Sequence, residues 1–474
     1  MDPSRKKYKW LLLPIETKVR ELDGKLLLAA LAAERGWGVI IGHKDSMAEA
    51  TADIKGIVIE KDGYAGNIRI DQYLKTGKPV CVLDEEGLVY LNSLDYYRRR
   101  LNVENLQKIN FYFLWGEIQR RDVLEHVKGI KDKLILTGNP RLDLLRPELR
   151  DYYKPEVEEL KQRYGNFILV NTNFADSNHF LGTEWVIKNH RKTGFIKTSQ
   201  EEAQETEFIK YQSKIVSEFK GMVSKISNRY PDHTIILRPH PSENYSSWDV
   251  LAQNHNNLIV IHEGDVNAWL LAADMTIHNS CMTGIQGFLL DKPVISYMPV
   301  QSAEFDYFLP NALSKKTTTI DQLYAAVDNY INDPNYGFPE DRNTKLDISH
   351  KYMTGLDGNF ASERILDVLD NDDIDPGTYK ELVPTTIKEN VHNLDTGISS
   401  SIIGRMQKRL SSWGSMPKQS EIELQYDAYA KQKYPGITLQ EMQEKLLRLR
   451  LITNRFHNLC IRQHADQSFV ILPE

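Results

Sequence analysis

An arginine, a histidine, a serine and a glutamate share one proline-broken turn, Arg238-Pro239-His240-Pro241-Ser242-Glu243. It directly follows Thr234-Ile235-Ile236-Leu237, a β-branched, apolar run that reads as a buried strand. The prolines end that strand, so the polar residues stand at its carboxyl end, where open α/β sheets bind ligands. A fixed cation, a titratable ring and a neutral hydroxyl suit a phosphate. A proline turn with an incidental histidine is the alternative. A second turn, Asn279-Ser280-Cys281-Met282-Thr283-Gly284, separates the run Met275–His278 from an apolar helical stretch. Free backbone N–H groups and a helix N-terminus favour an anion there. The segment reads as a phosphate cradle without a Walker lysine, or as a plain turn capped by Ser280. His262-Glu263-Gly264 ends the strand between these two turns.

Acidic chemistry has two candidate places. Asp84-Glu85-Glu86-Gly87 follows the buried run Val80–Leu83. Three adjacent carboxylates repel one another, so at least one should hold its proton more tightly, which suits a general base acting on a sugar hydroxyl. A solvated acidic turn is the other reading. Asn171-Thr172-Asn173-Phe174-Ala175-Asp176 follows the strand Phe167–Val170. Asp176 is the candidate for stabilising or trapping an oxocarbenium-like sugar, against a loop of Asx turns. Asp176 and Glu86 are expected to face each other across a cleft. Glu16, Arg20 and Glu21, after the first strand, could bind acceptor hydroxyls or simply open a surface helix.

The elements that position these residues alternate between strand and helix. Trp10–Leu13, Gly38–Gly42, Ile54–Glu60, Pro79–Leu83, Phe111–Trp115 and Lys133–Thr137 read as strands, with a Leu- and Ala-rich helix over Leu22–Arg35. A second series comprises Phe167–Val170, Thr234–Leu237, Leu258–Ile261, Met275–His278 and Pro293–Tyr297, with a long helix around Glu201–Asn228. Such alternation predicts two doubly wound parallel sheets. The 474 residues exceed what one core supports. The expected division is an acceptor-side Rossmann-like domain over 1–150 and a nucleotide-donor domain over 166–370. A linker over 371–398 and a helical extension over 399–474 follow. Ser362–Leu369 should close the second domain. The extension is expected to pack on the body without entering the active site.

A net charge of −6 gives no footprint for nucleic acid. No apolar run is long enough to span a bilayer, and three scattered cysteines give no metal spacing. The expected place is the cytoplasm. Arg405, Lys408 and Arg409 on an amphipathic stretch allow peripheral contact with the inner membrane.

His240-Pro241-Ser242-Glu243, His262-Glu263-Gly264 with Trp269, and Ile277-His278-Asn279-Ser280-Cys281 resemble the bacterial surface carbohydrate biosynthesis proteins. So do Arg20-Glu21-Leu22-Asp23, Asp84-Glu85-Glu86-Gly87, Trp115-Gly116-Glu117 and Gly138-Asn139-Pro140-Arg141, in the same order along the chain. The wider resemblance is to GT-B glycosyltransferases that use CMP-linked ulosonic acids, such as Kdo and sialic-acid transferases. It implies that His240-Pro241 with Ser280 and Thr283 holds the CMP phosphate, and that Glu85-Glu86-Gly87 supplies a catalytic carboxylate. Arg238, Ser242, Glu243, His262, Gly264 and Asn279 complete the implied nucleotide set. Gln286 stands where many such enzymes bind ribose with a glutamate.

The expectation is a metal-independent transferase without a cofactor. It would move an ulosonic acid from a CMP-sugar to a glycan or lipid-linked glycan during polysaccharide assembly. Two rivals are a CDP-polyol phosphotransferase of teichoic-acid type and a GT-B-like scaffold without turnover.

Overall fold

The computed structural model describes residues 8–64, 66–333, 341–372, 374 and 428–474. Strands β1 (Trp10–Ile15), β2 (Gly38–His43), β3 (Ile57–Glu60), β4 (Val80–Leu83), β5 (Tyr112–Leu114) and β6 (Leu134–Leu136) form the first sheet. Its order is β2-β1-β3-β4-β5-β6, all parallel. The second sheet holds β7 (Phe167–Asn171), β8 (Thr234–Arg238), β9 (Leu258–Val260), β10 (Met275–His278), β11 (Val294–Tyr297) and β12 (Lys315–Thr317). Its order is β12-β11-β10-β7-β8-β9, again parallel. β1, β4 and β7 are buried along their whole length, as continuous apolar runs must be when helices cover both faces. The protein is therefore α/β, with two Rossmann-like doubly wound domains, as the alternating pattern predicts.

Both sheets reverse strand order beside their first strand, β1 against β3 and β7 against β10. Ligands bind outside strand carboxyl ends at such a reversal. The core is continuous between the domains: Leu144, Leu145, Tyr152 and Tyr153 of the connecting segment pack into one buried cluster with Leu26 and Trp269. The helix after β1 begins at Lys18 rather than Leu22, because the buried Glu21 carboxylate accepts the backbone N–H groups of Glu16 (3.1 Å) and Thr17 (3.0 Å).

Two expectations about the later chain need correction. Ala361–Asn371 is a helix, but it docks on the first domain rather than closing the second. Asp143 accepts its first N–H groups, Ala361 at 2.8 Å and Ser362 at 2.9 Å, and Trp37 Nε1 donates to Asp370 at 2.9 Å. The extension is also not wholly helical. A helix does run over Leu439–Thr453, but β13 (Leu459–Ala465) and β14 (Ser468–Pro473) follow as a hairpin. β14 pairs antiparallel with β2, so the hairpin widens the first sheet and covers its edge. Phe469 and Ile471 alternate inward at no exposure, a period-2 signal that a short terminal run conceals. Nearly all of the expected linker, the stretch carrying Arg405, Lys408 and Arg409, and most of the helix expected to end at Lys433 lie outside the described residues. Among those described, no helix is long and apolar enough to cross a membrane. Arg448 pairs with Glu156, and Arg450 donates to the carbonyls of Phe456 and Leu459, so these two cations serve packing.

Candidate active site in the interdomain cleft

A cavity of about 430 Å³ lies where the carboxyl ends of the two sheets meet. Of the residues expected there, Arg20, Glu85, Glu86, Arg238, His240, Pro241, Ser242, His262, Thr283 and Gln286 line it. Glu16, Glu21, Asp176, Glu243, Gly264, Asn279 and Ser280 do not.

On the second domain's wall, the proline turn is built around Glu243. Its carboxylate, with no exposure, accepts from Phe174 N (3.0 Å), His240 N (3.1 Å), Asn178 Nδ2 (3.1 Å) and Trp248 Nε1 (3.1 Å). Glu243 is thus the brace of the turn, not a nucleotide contact. What it braces is His240. Burial and the charges of Arg20 and Lys433 push that imidazole down to about 3, so the ring is neutral. Its Nδ1 accepts the Ser242 N–H at 3.2 Å, which leaves the proton on Nε2. His240 therefore offers the cavity a neutral N–H donor. His262 is likewise pushed down to about 3, by burial first and by Arg238 second. Arg238 lines the cavity but spends its guanidinium on the carbonyls of Glu263 and Gly264 and stacks on Trp269, 5.0 Å from the ring centre. Gly264 serves as that acceptor, at φ +64°.

The second turn divides its labour in the same way. Asn279 Nδ2 donates to the Tyr297 carbonyl at 2.9 Å. Ser280, at φ +51°, exchanges hydrogen bonds with Asn311 at 3.1 and 3.0 Å. Both hold the turn from behind, so Cys281, Met282 and Thr283 line the cavity and the Met282–Leu289 helix presents its N-terminus there. Close packing sets that helix in place, since a Cβ on Gly284 would lie 2.4 Å from the His278 ring. Gln286 Nε2 donates to Asn267 Oδ1 at 2.8 Å, and Asn267 Nδ2 to the Tyr153 hydroxyl at 2.9 Å.

The first domain's wall is a lattice of charges. Arg20 bridges Glu86 (2.7 Å) and Glu21 (3.2 Å), and Arg100 bridges Glu86 (3.0 Å) and the fully buried Asp84. Lys25 joins Glu21 (3.0 Å) to Glu85 (3.4 Å). Glu16 is taken by Lys44 and Lys61, and Glu21 by its capping role, so neither faces the cavity as an acceptor site. The two candidate carboxylates diverge. Burial pushes Glu85 up, only partly offset by Lys25; its Oε2 accepts no hydrogen bond from the described residues and lies 4.0 Å from the Arg141 guanidinium. Glu86 is 47% exposed at its side chain, and against the desolvation that the cleft imposes, Arg100, Arg20 and Lys61 hold its carboxyl well below the ordinary range. Glu86 is a fixed anion.

Asp176 does not face Glu86. The chain turns where Phe174 is buried against Phe219, with ring centres 5.2 Å apart. That turn sends Asp176 to a different cluster with His190 and Glu205, near Arg99. Several residues to which the sequence reading gave no site role line the cavity: Asp23 and Arg141, quoted there only as parts of motifs, and Tyr153, Asp265, Asn267, Tyr307 and Lys433. Asp265 caps the Val266–Ala272 helix through Asn267 N (2.7 Å). Burial, with Asp23 nearby, pushes it up to about 7. Its place before a helix start was a legible signal; Lys433, far along the chain, had none, and its presence in the lining corrects the expectation that the extension stays out of the active site.

Two Rossmann-like domains facing a cleft, with a late helix returning to the first, make the GT-B arrangement. No protein-family model matches the chain, and no curated protein does. Among solved structures, it is similar to UDP-GlcNAc 2-epimerase of Methanocaldococcus jannaschii, in complex with UDP-GlcNAc and UDP. That match has 13% identity and a TM-score of 0.48, over 77% of this chain and 100% of that one. The epimerase of Neisseria meningitidis bound to UDP-GlcNAc matches at 12% identity and a TM-score of 0.45, over 77% and 100%. The wall teichoic acid polymerase TagF matches at 9% and 0.47, over 78% and 89%. Likeness at this level carries no argument about ligand or activity.

Proposed function

We propose that the cleft binds a nucleotide-activated sugar, and that the protein is a glycosyltransferase of surface polysaccharide assembly. The donor class is a CMP-linked ulosonic acid and the acceptor a glycan. The observation that carries this reading is the convergence of a neutral His240 N–H donor and the N-terminus of the Met282–Leu289 helix on one cavity. Its volume lies in the range of small-molecule sites. Both features offset phosphate charge without a metal.

In the proposed step an acceptor hydroxyl oxygen bonds to the anomeric carbon, and the bond from that carbon to the CMP phosphate oxygen breaks. CMP leaves with the electron pair, its charge met by His240 and the helix end. The hydroxyl proton passes to Glu85, the carboxylate of the acidic turn with raised proton affinity, whose Oε2 accepts no hydrogen bond from the described residues. Glu86 anchors Arg20 and Arg100 beside it. The proton on His240 Nε2 makes this ring a donor, which favours sugar transfer over phosphotransfer with a histidine base.

A thermal-shift panel of CMP, CDP, UDP and GDP tests the nucleotide, and product analysis with CMP-Kdo tests the chemistry. The expected result is selective stabilisation by cytidine nucleotides and transfer that Glu85→Gln abolishes while CMP binding persists. Equal response to every nucleotide, or transfer by Glu85→Gln at the native rate, would sink the assignment.

A further inference from the structure

Residues 428–433 form a helical turn that lies over the proline turn of the second domain. Gln432 Nε2 donates to the carbonyls of Pro241 and Glu243, and the Tyr429 hydroxyl to Ser242 Oγ at 3.0 Å. The Tyr429 ring rests near His179 and Phe180, at 5.3 and 5.9 Å between centres. A few residues later the chain is fastened to the first domain. Tyr434 packs on His43 at 4.3 Å, and Lys18 Nζ donates to the Gly436 carbonyl at 2.7 Å. Ile437 N donates to Gln467 at 2.8 Å, at the turn of the hairpin that pairs with β2. The segment is a strap across the cleft, held at both ends.

Lys433 sits between these anchors and lines the cavity. The other cavity cations are committed: Arg20 to Glu86 and Glu21, Arg141 to the Glu85 carbonyl at 3.0 Å, and Arg238 to carbonyls. Among the described residues, the Lys433 ammonium has no carboxylate or carbonyl partner; it lies 5.1 Å from the centre of the Tyr429 ring. Its charge is felt at His240 on one side and at Glu16 on the other. A half-buried ammonium in no close ion pair with a described residue, beside a neutral N–H donor, is placed to take an anion.

We propose that Lys433, carried on the C-terminal strap, binds the donor's phosphate together with His240. This rests on the reading of the cleft as a nucleotide site. The strap then has a second consequence: the donor site is complete only when residues 428–437 lie across both domains. Lys433 is a binding residue here, and Tyr429 and Gln432 are positioning residues that hold it.

The test titrates the full chain and its Lys433→Met and Lys433→Arg variants with CMP, with cytidine, and with inorganic pyrophosphate. The methionine variant should bind CMP roughly tenfold more weakly, as for the loss of one charge-assisted contact. Cytidine affinity should not change, and the arginine variant should recover most of the loss. Unchanged CMP affinity with weakened binding of a CMP-ulosonic acid would overturn the phosphate assignment in favour of the sugar carboxylate. Equal loss for CMP and cytidine would assign Lys433 to the fold instead. If the wild type binds no nucleotide but gains Lys433-dependent stability from pyrophosphate, the nucleotide reading fails and the anion site stands. If it responds to neither, both fall.

Discussion

The two walls of the cleft solve different electrostatic problems. The first domain's wall carries Glu16, Arg20, Glu21, Lys25, Lys61, Asp84, Glu85, Glu86 and Arg100, and nearly every charge there is met by another. The second domain's wall carries half-buried neutral imidazoles, a helix N-terminus and the helix-capping Asp265, backed by the internal carboxylate of Glu243, which is occupied by donors. A wall of matched charges resists rearrangement, because removing one member strands another in a low-dielectric place. A wall of neutral donors leaves its hydrogen bonds free for a ligand. Charge density alone would have named the first wall as the anion site. Commitment of the charges points to the second wall and to Lys433 on the strap.

The largest effects should come from breaking each wall's brace. Glu243→Ala orphans the N–H groups of Phe174 and His240 and the indole of Trp248, and should cost on the order of 3–5 kcal/mol of stability in chemical denaturation. Arg100→Met strands Asp84, whose other side-chain partners are the hydroxyls of Tyr96 (2.9 Å) and Tyr112 (3.4 Å). About 3 kcal/mol is expected. A loss under 1 kcal/mol in either variant would show that its wall is not braced as described.

His240→Ala sharpens the comparison, because it removes an Nε2–H that no described residue accepts, along with the Nδ1 acceptor of the Ser242 N–H. CMP affinity should fall by about 1–3 kcal/mol, read by calorimetry, with a stability loss of no more than about 1 kcal/mol from the freed Ser242 N–H. A stability loss with unchanged affinity would reverse the assignment of the second wall.

Asp265 supplies a pH signature at the border of the two walls. It binds its proton more tightly in the folded chain, at about 7, than in the unfolded one, at about 4. Its contribution to stability is therefore fully present below about 4 and is lost as pH rises through 7. Relative to Asp265→Asn, the wild type should lose melting temperature from pH 4 to 7 and run parallel above 8. A constant difference across that range would place the titration elsewhere. The smallest effect belongs to the strap: Tyr429→Phe should cost about 0.5–1.5 kcal/mol, because one exchangeable hydrogen bond to Ser242 is lost. Denaturation curves would show whether the strap matters more than that.

The sheets were legible because parallel strands buried on both faces are nearly unbroken apolar runs, as in Trp10–Ile15 and Phe167–Asn171. The proline turn was legible as a site because its position after β8 is a local fact. The roles within it were not. Glu243 and His240 are equally polar on paper, and only the donors gathered from Phe174, Asn178 and Trp248 show that one is structure. Asp176 was misplaced for a related reason. Its sequence neighbours say that it follows a strand, but burial of Phe174 decides which way the chain then turns.

The chain's own pattern of apolar periodicity and turn residues determined the two doubly wound domains and which turns end at strand carboxyl edges, because those depend on neighbours within a few residues. Pairings between distant segments were decided by the tertiary structure: Ala361–Asn371 on Asp143, β14 on β2, and Lys433 over the turn at His240. The proton affinities of Glu85 and Glu86 were decided there too. The two residues are adjacent in sequence, yet one is enclosed with only longer ion pairs to Lys25 and Arg141, and the other is clasped closely by two arginines. Desolvation and Coulomb attraction depend on what surrounds a group in space, and neither is written in the order of residues.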